Sequence, residues 1–170
     1  SMMRRLDNLF AACAEEGLYI STDLFVSRTS AGIAWRDIGV DRDGKMSMED
    51  YKYTVPVHEG AYSNFFAFAR NFIGHVNVHT GVRYAEDPTL AWVSLVNEGN
   101  IESPGADGYA TRPGWTAAWT AWLAQKRRED PAAYAGITDR IPNRKTGSRE
   151  GAAFTLFLRD VESRFVQRTK

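Results

Sequence analysis

The stretch 90–100, "LAWVSLVNEGN", joins an apolar run to an acid held between two amides. Residues 90–96 predict a buried strand, and apolar side chains at consecutive positions are typical of a parallel strand covered on both faces. Asn97, Glu98 and Asn100 follow at once. In parallel α/β folds, residues at the C-terminal ends of strands face the functional surface. The stretch therefore predicts an α/β fold with Glu98 as a candidate catalytic group, and a loop-capping role for Glu98 is the alternative.

The rest of the chain alternates helical and extended patterns. A first helix with an apolar stripe ends at Gly17, and the strand "GLYISTDLFVS" (17–27) follows, about nine residues long and apolar on both faces. Further helices are predicted over about 61–76, from about Pro113, and from a cap at Ser148. This order predicts a parallel sheet with helical crossovers. Since two strands cannot cover two helical layers, the pattern is that of part of a larger sheet.

Composition excludes several classes of function. The chain has 170 residues, 44% of them hydrophobic, and its 21 basic residues balance 21 acidic ones. This balance gives no net field that favours nucleic acid or a membrane surface, so neither is an expected partner. No apolar stretch approaches the ~20 residues that span a bilayer. The single cysteine, Cys13, rules out an internal disulfide.

A family resemblance rests on three stretches. "HVNVHTGVRYAEDPT" (75–89) leads into "LAWVSLVNEGN" (90–100), and "LDNLFAACAEEGLYISTDLFVSR" (6–28) lies upstream. Together they resemble the third- and fourth-strand regions of clan A glycoside hydrolases, the family-5-type cellulases and mannanases, in which an Asn-Glu pair ends strand four. The resemblance implies that residues 1–170 are one segment of a (β/α)8 (TIM) barrel, from helix two to about helix four. It also implies a retaining glycosidase that acts on β-linked poly- or oligosaccharides.

The resemblance assigns roles to individual residues. Glu98 would be the acid/base, which requires a pKa raised by a dry, apolar surround, and Asn97 would hydrogen-bond the sugar 2-hydroxyl. Asn100 and Arg28, each just beyond a strand end, are candidates for substrate binding. Trp35 is a candidate for stacking on a sugar ring. A carbohydrate is therefore the expected partner.

The nucleophile is missing from this pattern. In such barrels it is a Glu at the end of strand seven, and this chain is expected to stop after about helix four. Phe25 is a second departure, because many relatives have a histidine at that strand end. We therefore expect little or no hydrolysis by this polypeptide alone. Its open sheet edges and aromatic surface predict a homo-oligomer or a place within a longer chain.

The segment 28–60 is too long for an ordinary connection, which favours a functional loop or an insertion. Within it, "GVDRDGKMSMED" (39–50) resembles a calcium loop of the EF-hand or dockerin type, but Gly39 occupies the position of the first acidic ligand. A polar turn is the preferred interpretation. Two alternatives to the enzyme fragment stay open, a calcium-stabilised interaction module and a non-catalytic carbohydrate-binding module.

Two further patterns favour structural roles. His75 and His79 are four residues apart, but no third ligand accompanies them, so no metal or other cofactor is expected. Trp115, Trp119 and Trp122 recur at helical spacing, which favours core packing over sugar stacking.

Overall fold

The computed structural model describes residues 2–25, 32–97, 101, 108–142 and 147–170. The helices are α1 (Met2–Glu15), α2 (Met48–Thr54), α3 (Glu59–Ile73), α4 (Trp115–Glu129) and α5 (Arg149–Thr169). Short 3₁₀ turns lie at Trp35–Ile38, Tyr84–Glu86 and Tyr109–Thr111. The strands β1 (Ile20–Asp23) and β2 (Leu90–Ser94) form one sheet. Across these ranges the protein is a mixed α/β chain that is mostly helical.

The two strands pair in parallel, as the sequence predicted. Ile20 lies opposite Leu90 and Asp23 lies opposite Ser94, with an irregularity after Ile20. Beyond β1, the Leu24 amide donates to the Ser94 carbonyl at 2.9 Å. The carboxyl ends of both strands therefore meet at the same edge of the sheet.

Both strands are shorter and more exposed than predicted. β1 has four residues instead of about nine. In the described ranges β2 is its partner, and β2 itself ends at Ser94. Trp92 is 68% exposed, and Tyr19, which precedes β1, is 77% exposed. The prediction of strands covered on both faces is wrong.

The chain divides into two compact units. The first comprises Ser1–Val26 and Phe65–Glu98, and the second comprises Ser27–Asn64 and Gly99–Lys170. The first unit holds α1, the sheet and the C-terminal part of α3. Within it, Phe10 of α1 stacks on Tyr84, with ring centroids 4.2 Å apart and planes 4° apart. This stacking fixes α1 against the segment that leads into β2.

Helices α4 and α5 supply the core of the second unit. Trp115, Trp119 and Trp122 are all buried, so their predicted core role is confirmed. The ring centroid of Trp119 lies 5.4 Å from that of Phe157. Edge-to-face and stacked aromatic pairs of this kind add to the stabilisation that burial alone gives. The remaining core members are Tyr53, Ile101, Tyr109, Leu123, Ile137, Ala153, Phe154, Leu158 and Val161.

The residues that precede α4 and α5 determine where these helices begin. As predicted, Ser148 caps α5, and its Oγ accepts a hydrogen bond from the Gly151 amide at 2.9 Å. Gly114 precedes α4 with φ +90°, a conformation that side chains rarely adopt. A Cβ at Gly114 would lie 2.8 Å from the Val57 carbonyl oxygen. Glycine is therefore required there both for its backbone angle and for space.

The segment 28–60 is folded in its described part, 32–60. Ala34 and Lys45 form an antiparallel bridge. Ser47 begins α2, because its Oγ accepts from the Asp50 amide at 3.0 Å while the Asp50 carboxylate accepts from the Ser47 amide. This Ser-x-x-Asp pattern is a capping box and was the available sequence signal for α2, which the sequence analysis missed. Several apolar side chains of the segment are buried, namely Ile33, Ile38, Met46, Tyr51, Tyr53 and Val55.

Candidate functional site

Asn97, the candidate for hydrogen bonding to the sugar 2-hydroxyl, lies just beyond β2 at the carboxyl edge of the sheet. β2 ends at Ser94, residues 95–96 are half-buried, and Asn97 lies exposed in a turn. An exposed amide at this edge is free to reach a ligand. Glu98 and Asn100 lie outside the described residues, and so does Arg28.

Trp35, the candidate for sugar stacking, lies in the 3₁₀ turn at Trp35–Ile38. Only 2% of its surface is exposed. The Arg42 guanidinium carbon also lies 4.3 Å from the centre of its ring. In this arrangement the ring has almost no free surface for a sugar. Its role in substrate binding stays a prediction.

The oxygen atoms of the calcium-loop pattern have other partners. Asp43 pairs with Arg36 at 2.9 Å, and Asp41 lies 3.6 Å from the same guanidinium. Asp50 caps α2 and also accepts a hydrogen bond from Arg112 Nε at 3.1 Å. The last acidic position of the pattern is therefore engaged in holding α2 and Arg112. This geometry supports the interpretation of the loop as a polar turn.

A buried carboxylate in the first unit organises the approach to β2. Asp7 of α1 is 1% exposed, and its Oδ1 accepts a hydrogen bond from the Tyr84 hydroxyl at 2.8 Å. His75 Nε2 lies 2.8 Å from the same oxygen. Asn77, also buried, donates its side-chain amide to the Asp7 carbonyl at 3.0 Å. One helical residue thus holds three positions of the segment 75–84.

Burial and hydrogen bonding act on this carboxylate in opposite directions. Burial raises the pKa of Asp7, but the hydrogen bonds from Tyr84 and His75 and the attraction of a charged His75 outweigh it, so the pKa lies below its ordinary value. The Val78 backbone amide acts in the same direction. Burial, together with the hydrogen bond to Asp7 and its negative charge, raises the pKa of Tyr84 well above its usual range. Asp7 is therefore ionised and Tyr84 neutral near pH 7.

The sequence contains one signal for this cluster that the helix and strand patterns do not use. Asp7 lies four residues after Met3 and three before Phe10, on the apolar stripe of α1. An acid on an apolar face needs buried partners. The sequence pattern suggested only a comparison of His75 and His79 with metal ligands and a place for 75–89 before the second strand. His75 instead bonds to Asp7, and His79 is exposed.

The described ranges contain no cluster of three or more His, Cys, Asp or Glu side chains that could hold a metal ion. In the same ranges no helix has both the length and the apolar character needed to cross a lipid bilayer. No family model, curated protein or solved structure matches this chain.

Proposed function

We propose that this chain is part of a family-5-like retaining glycoside hydrolase that acts on β-linked poly- or oligosaccharides, and that its fold is a partial (β/α)8 barrel. The parallel pairing of β1 with β2 is the observation that supports this proposal most directly. In such barrels the catalytic groups follow the carboxyl ends of parallel strands. In the sequence, Asn97 and Glu98 come shortly after the carboxyl end of β2.

In the proposed reaction, Glu98 protonates the glycosidic oxygen as the bond to the leaving group breaks. It then removes a proton from the water that hydrolyses the covalent intermediate. Asn97 donates a hydrogen bond to the sugar 2-hydroxyl, and this bond strengthens in the transition state. The nucleophilic carboxylate belongs ~5–5.5 Å from the acid/base. We propose that it comes from a strand outside these 170 residues, so the chain alone binds sugar and does not hydrolyse it.

The open edges and exposed rings of the two-stranded sheet support the proposal that other strands or a second copy of the chain cover it. A two-stranded sheet leaves backbone donors and acceptors open along both edges. The exposed Trp92 and Tyr19 add apolar surface beside it. Partners of the sheet are proposed to be a second copy of the chain or further strands of a longer one.

Sugar binding is tested by titrating the isotope-labelled chain with β-1,4-linked gluco- and manno-oligosaccharides and following backbone amide signals. Saturable shifts at residues 97–98 are expected, and Asn97→Ala should abolish or strongly weaken them. Asn8→Ala is the matched control, since Asn8 is an exposed amide on α1 of the same unit. Binding that is absent, or equally strong in both variants, would contradict the proposal.

The Glu98→Gln variant distinguishes the glycosidase from the alternative, a non-catalytic carbohydrate-binding module. In the glycosidase interpretation, the proton of Glu98 matters for catalysis more than for binding. The decisive comparison is therefore with a chain completed by its nucleophile strand, in which Glu98→Gln should remove hydrolysis and leave binding largely intact. A completed chain that binds oligosaccharides and never hydrolyses them would favour the binding module.

A further inference from the structure

A second candidate binding site is a cleft in the first unit at the C-terminal end of α3. The cleft has a volume of about 460 Å³. Its lining residues are Arg70, Asn71, Ile73, Gly74, Arg83 and Ala85. This volume lies within the range of small-molecule sites. The lining residues thus include two arginines and an asparagine beside the apolar Ile73 and Ala85.

The fold brings the two arginines together from different segments. After α3 ends, residues 75–84 turn back on themselves, and Val76 bridges to Arg83 in an antiparallel pair. The Tyr84 amide donates to the His75 carbonyl at 2.9 Å, and this hydrogen bond closes the same turn. Arg83 is thereby returned to the end of the helix that carries Arg70. Asp7 holds both ends of the turn, since it bonds to His75 and Tyr84.

Of the two arginines, Arg83 has a carboxylate within ion-pair distance among the described residues, and that carboxylate is the exposed Glu86. In the described ranges no carboxylate lies within ion-pair distance of Arg70. Arg83 lies 3.7 Å from Glu86, but the two side chains are 53% and 67% exposed, so this pair contributes little. The carbonyl of Arg70 accepts from the Gly74 amide and that of Phe72 accepts from the His75 amide, so these helix-end oxygens already have donors.

We propose that this cleft binds the oxyanion of a small organic molecule, a carboxylate or a phosphate group. Guanidinium groups match the geometry of such oxyanions through paired N–H donors. The Asn71 amide is available to a neighbouring hydroxyl or carbonyl, and Ile73 and Ala85 provide a small apolar surface for the body of the ligand. The proposal makes no use of Asn97 or Glu98 and does not depend on the proposed glycosidase function.

The test titrates the full chain with inorganic phosphate, glucuronate and neutral glucose at constant ionic strength, with backbone amide and arginine Nε–H signals as the readout. Saturable shifts at 70–74 and 83–85 are expected with phosphate and glucuronate and not with glucose. Arg70→Gln and Arg83→Gln should each weaken binding about tenfold or more, because each removes hydrogen bonds from a charged donor. Arg5→Gln, at an exposed position on α1 of the same unit, is the matched control. Thermal unfolding of each variant confirms that it is folded.

The two oxyanions separate the possible sources of the ligand. Glucuronate binding more tightly than phosphate identifies an acidic sugar or a similar carboxylate, and the reverse order identifies a phosphorylated molecule. Either order supports the site when Arg70→Gln and Arg83→Gln weaken binding and Arg5→Gln does not. Shifts that fail to saturate, or that change equally in all three variants, would overturn the proposal.

Discussion

The two units of the chain bury their large apolar side chains to very different extents. In the second unit, Trp115, Trp119 and Phe157 are fully buried among one another. In the first unit, the sheet leaves Trp92 and Tyr19 largely exposed. Of the ten exposed large apolar side chains in the described ranges, eight belong to the first unit. The second unit has a helical core centred on α4 and α5, whereas the first combines a smaller aromatic cluster around Phe10, Phe65 and Tyr84 with one buried polar cluster and a short sheet.

The largest expected effect is in the second unit. Phe157→Ala should lower the free energy of unfolding by about 3–5 kcal/mol, because the fully buried Phe157 contacts the rings of several aromatic neighbours and its removal leaves a cavity. Chemical denaturation measures this change. Leu156→Ala is the control, since Leu156 is the preceding residue and is 44% exposed, and it should cost less than about 1 kcal/mol. Equal losses in the two variants would contradict a core centred on α4 and α5.

The first unit should depend instead on Asp7. Asp7→Asn weakens the hydrogen bonds from Tyr84 and His75, and we expect a loss of about 2 kcal/mol in the free energy of unfolding. Glu16→Gln, an exposed acid just after α1, should change stability by less than about 0.5 kcal/mol. Amide hydrogen exchange measured for each unit separately would assign the loss. An effect confined to the second unit would contradict the proposed role of Asp7.

The same carboxylate predicts a pH dependence. The pKa of Asp7 is lower in the folded state than its ordinary value of 3.8, so its contribution is fully present above that value. The contribution declines as the pH falls below 3.8 through the folded-state pKa. Stability of the unmodified chain should therefore decrease more steeply with acid than that of Asp7→Asn. If the stability of both proteins decreased equally with acid, the buried Asp7 carboxylate would not be the cause of the acid sensitivity.

The smallest effect on folding is expected at the exposed sheet. Trp92→Thr keeps a strand-forming residue and removes a ring that is 68% exposed, so stability should change by only about 0.5 kcal/mol. If the sheet surface drives self-association, this variant should dissociate at higher protein concentration than the unmodified chain. Sedimentation velocity across a concentration series measures this self-association. Leu156→Gln, on the second unit, should leave association unchanged, and the opposite pattern would place the interface elsewhere.

The sequence predicted the helices and the strand pairing better than it predicted which side chains neighbouring elements cover. Parallel pairing of β1 with β2 followed from a helix between two apolar runs, and the core role of Trp119 followed from helical spacing. The exposure of Trp92 was missed, because an apolar run alone does not show whether a neighbouring element covers it. The folded structure of 32–60 was missed because the capping box at Ser47 was overlooked and the apolar residues of this segment are scattered.

For the candidate site, too, local features could be predicted from the sequence and long-range contacts could not. That Asn97 follows β2 could be predicted from the apolar run, although β2 ends at Ser94, two residues before the predicted end. The bond between His75 and Asp7 could not, because it joins residues 68 apart in the chain, and spacing patterns report only on near neighbours. The burial of Trp35 was missed for the same reason, since long-range packing decides it.

Carbon-13 NMR of the Glu98 carboxyl group tests our proposal that this residue donates a proton to a bound sugar. The pH titration is run with and without a saturating β-linked oligosaccharide, and Glu98→Gln assigns the signal. Exclusion of water by the sugar should raise the midpoint above the ordinary glutamate value of about 4.3. A midpoint that stays at the ordinary value and does not move when sugar binds would contradict the account.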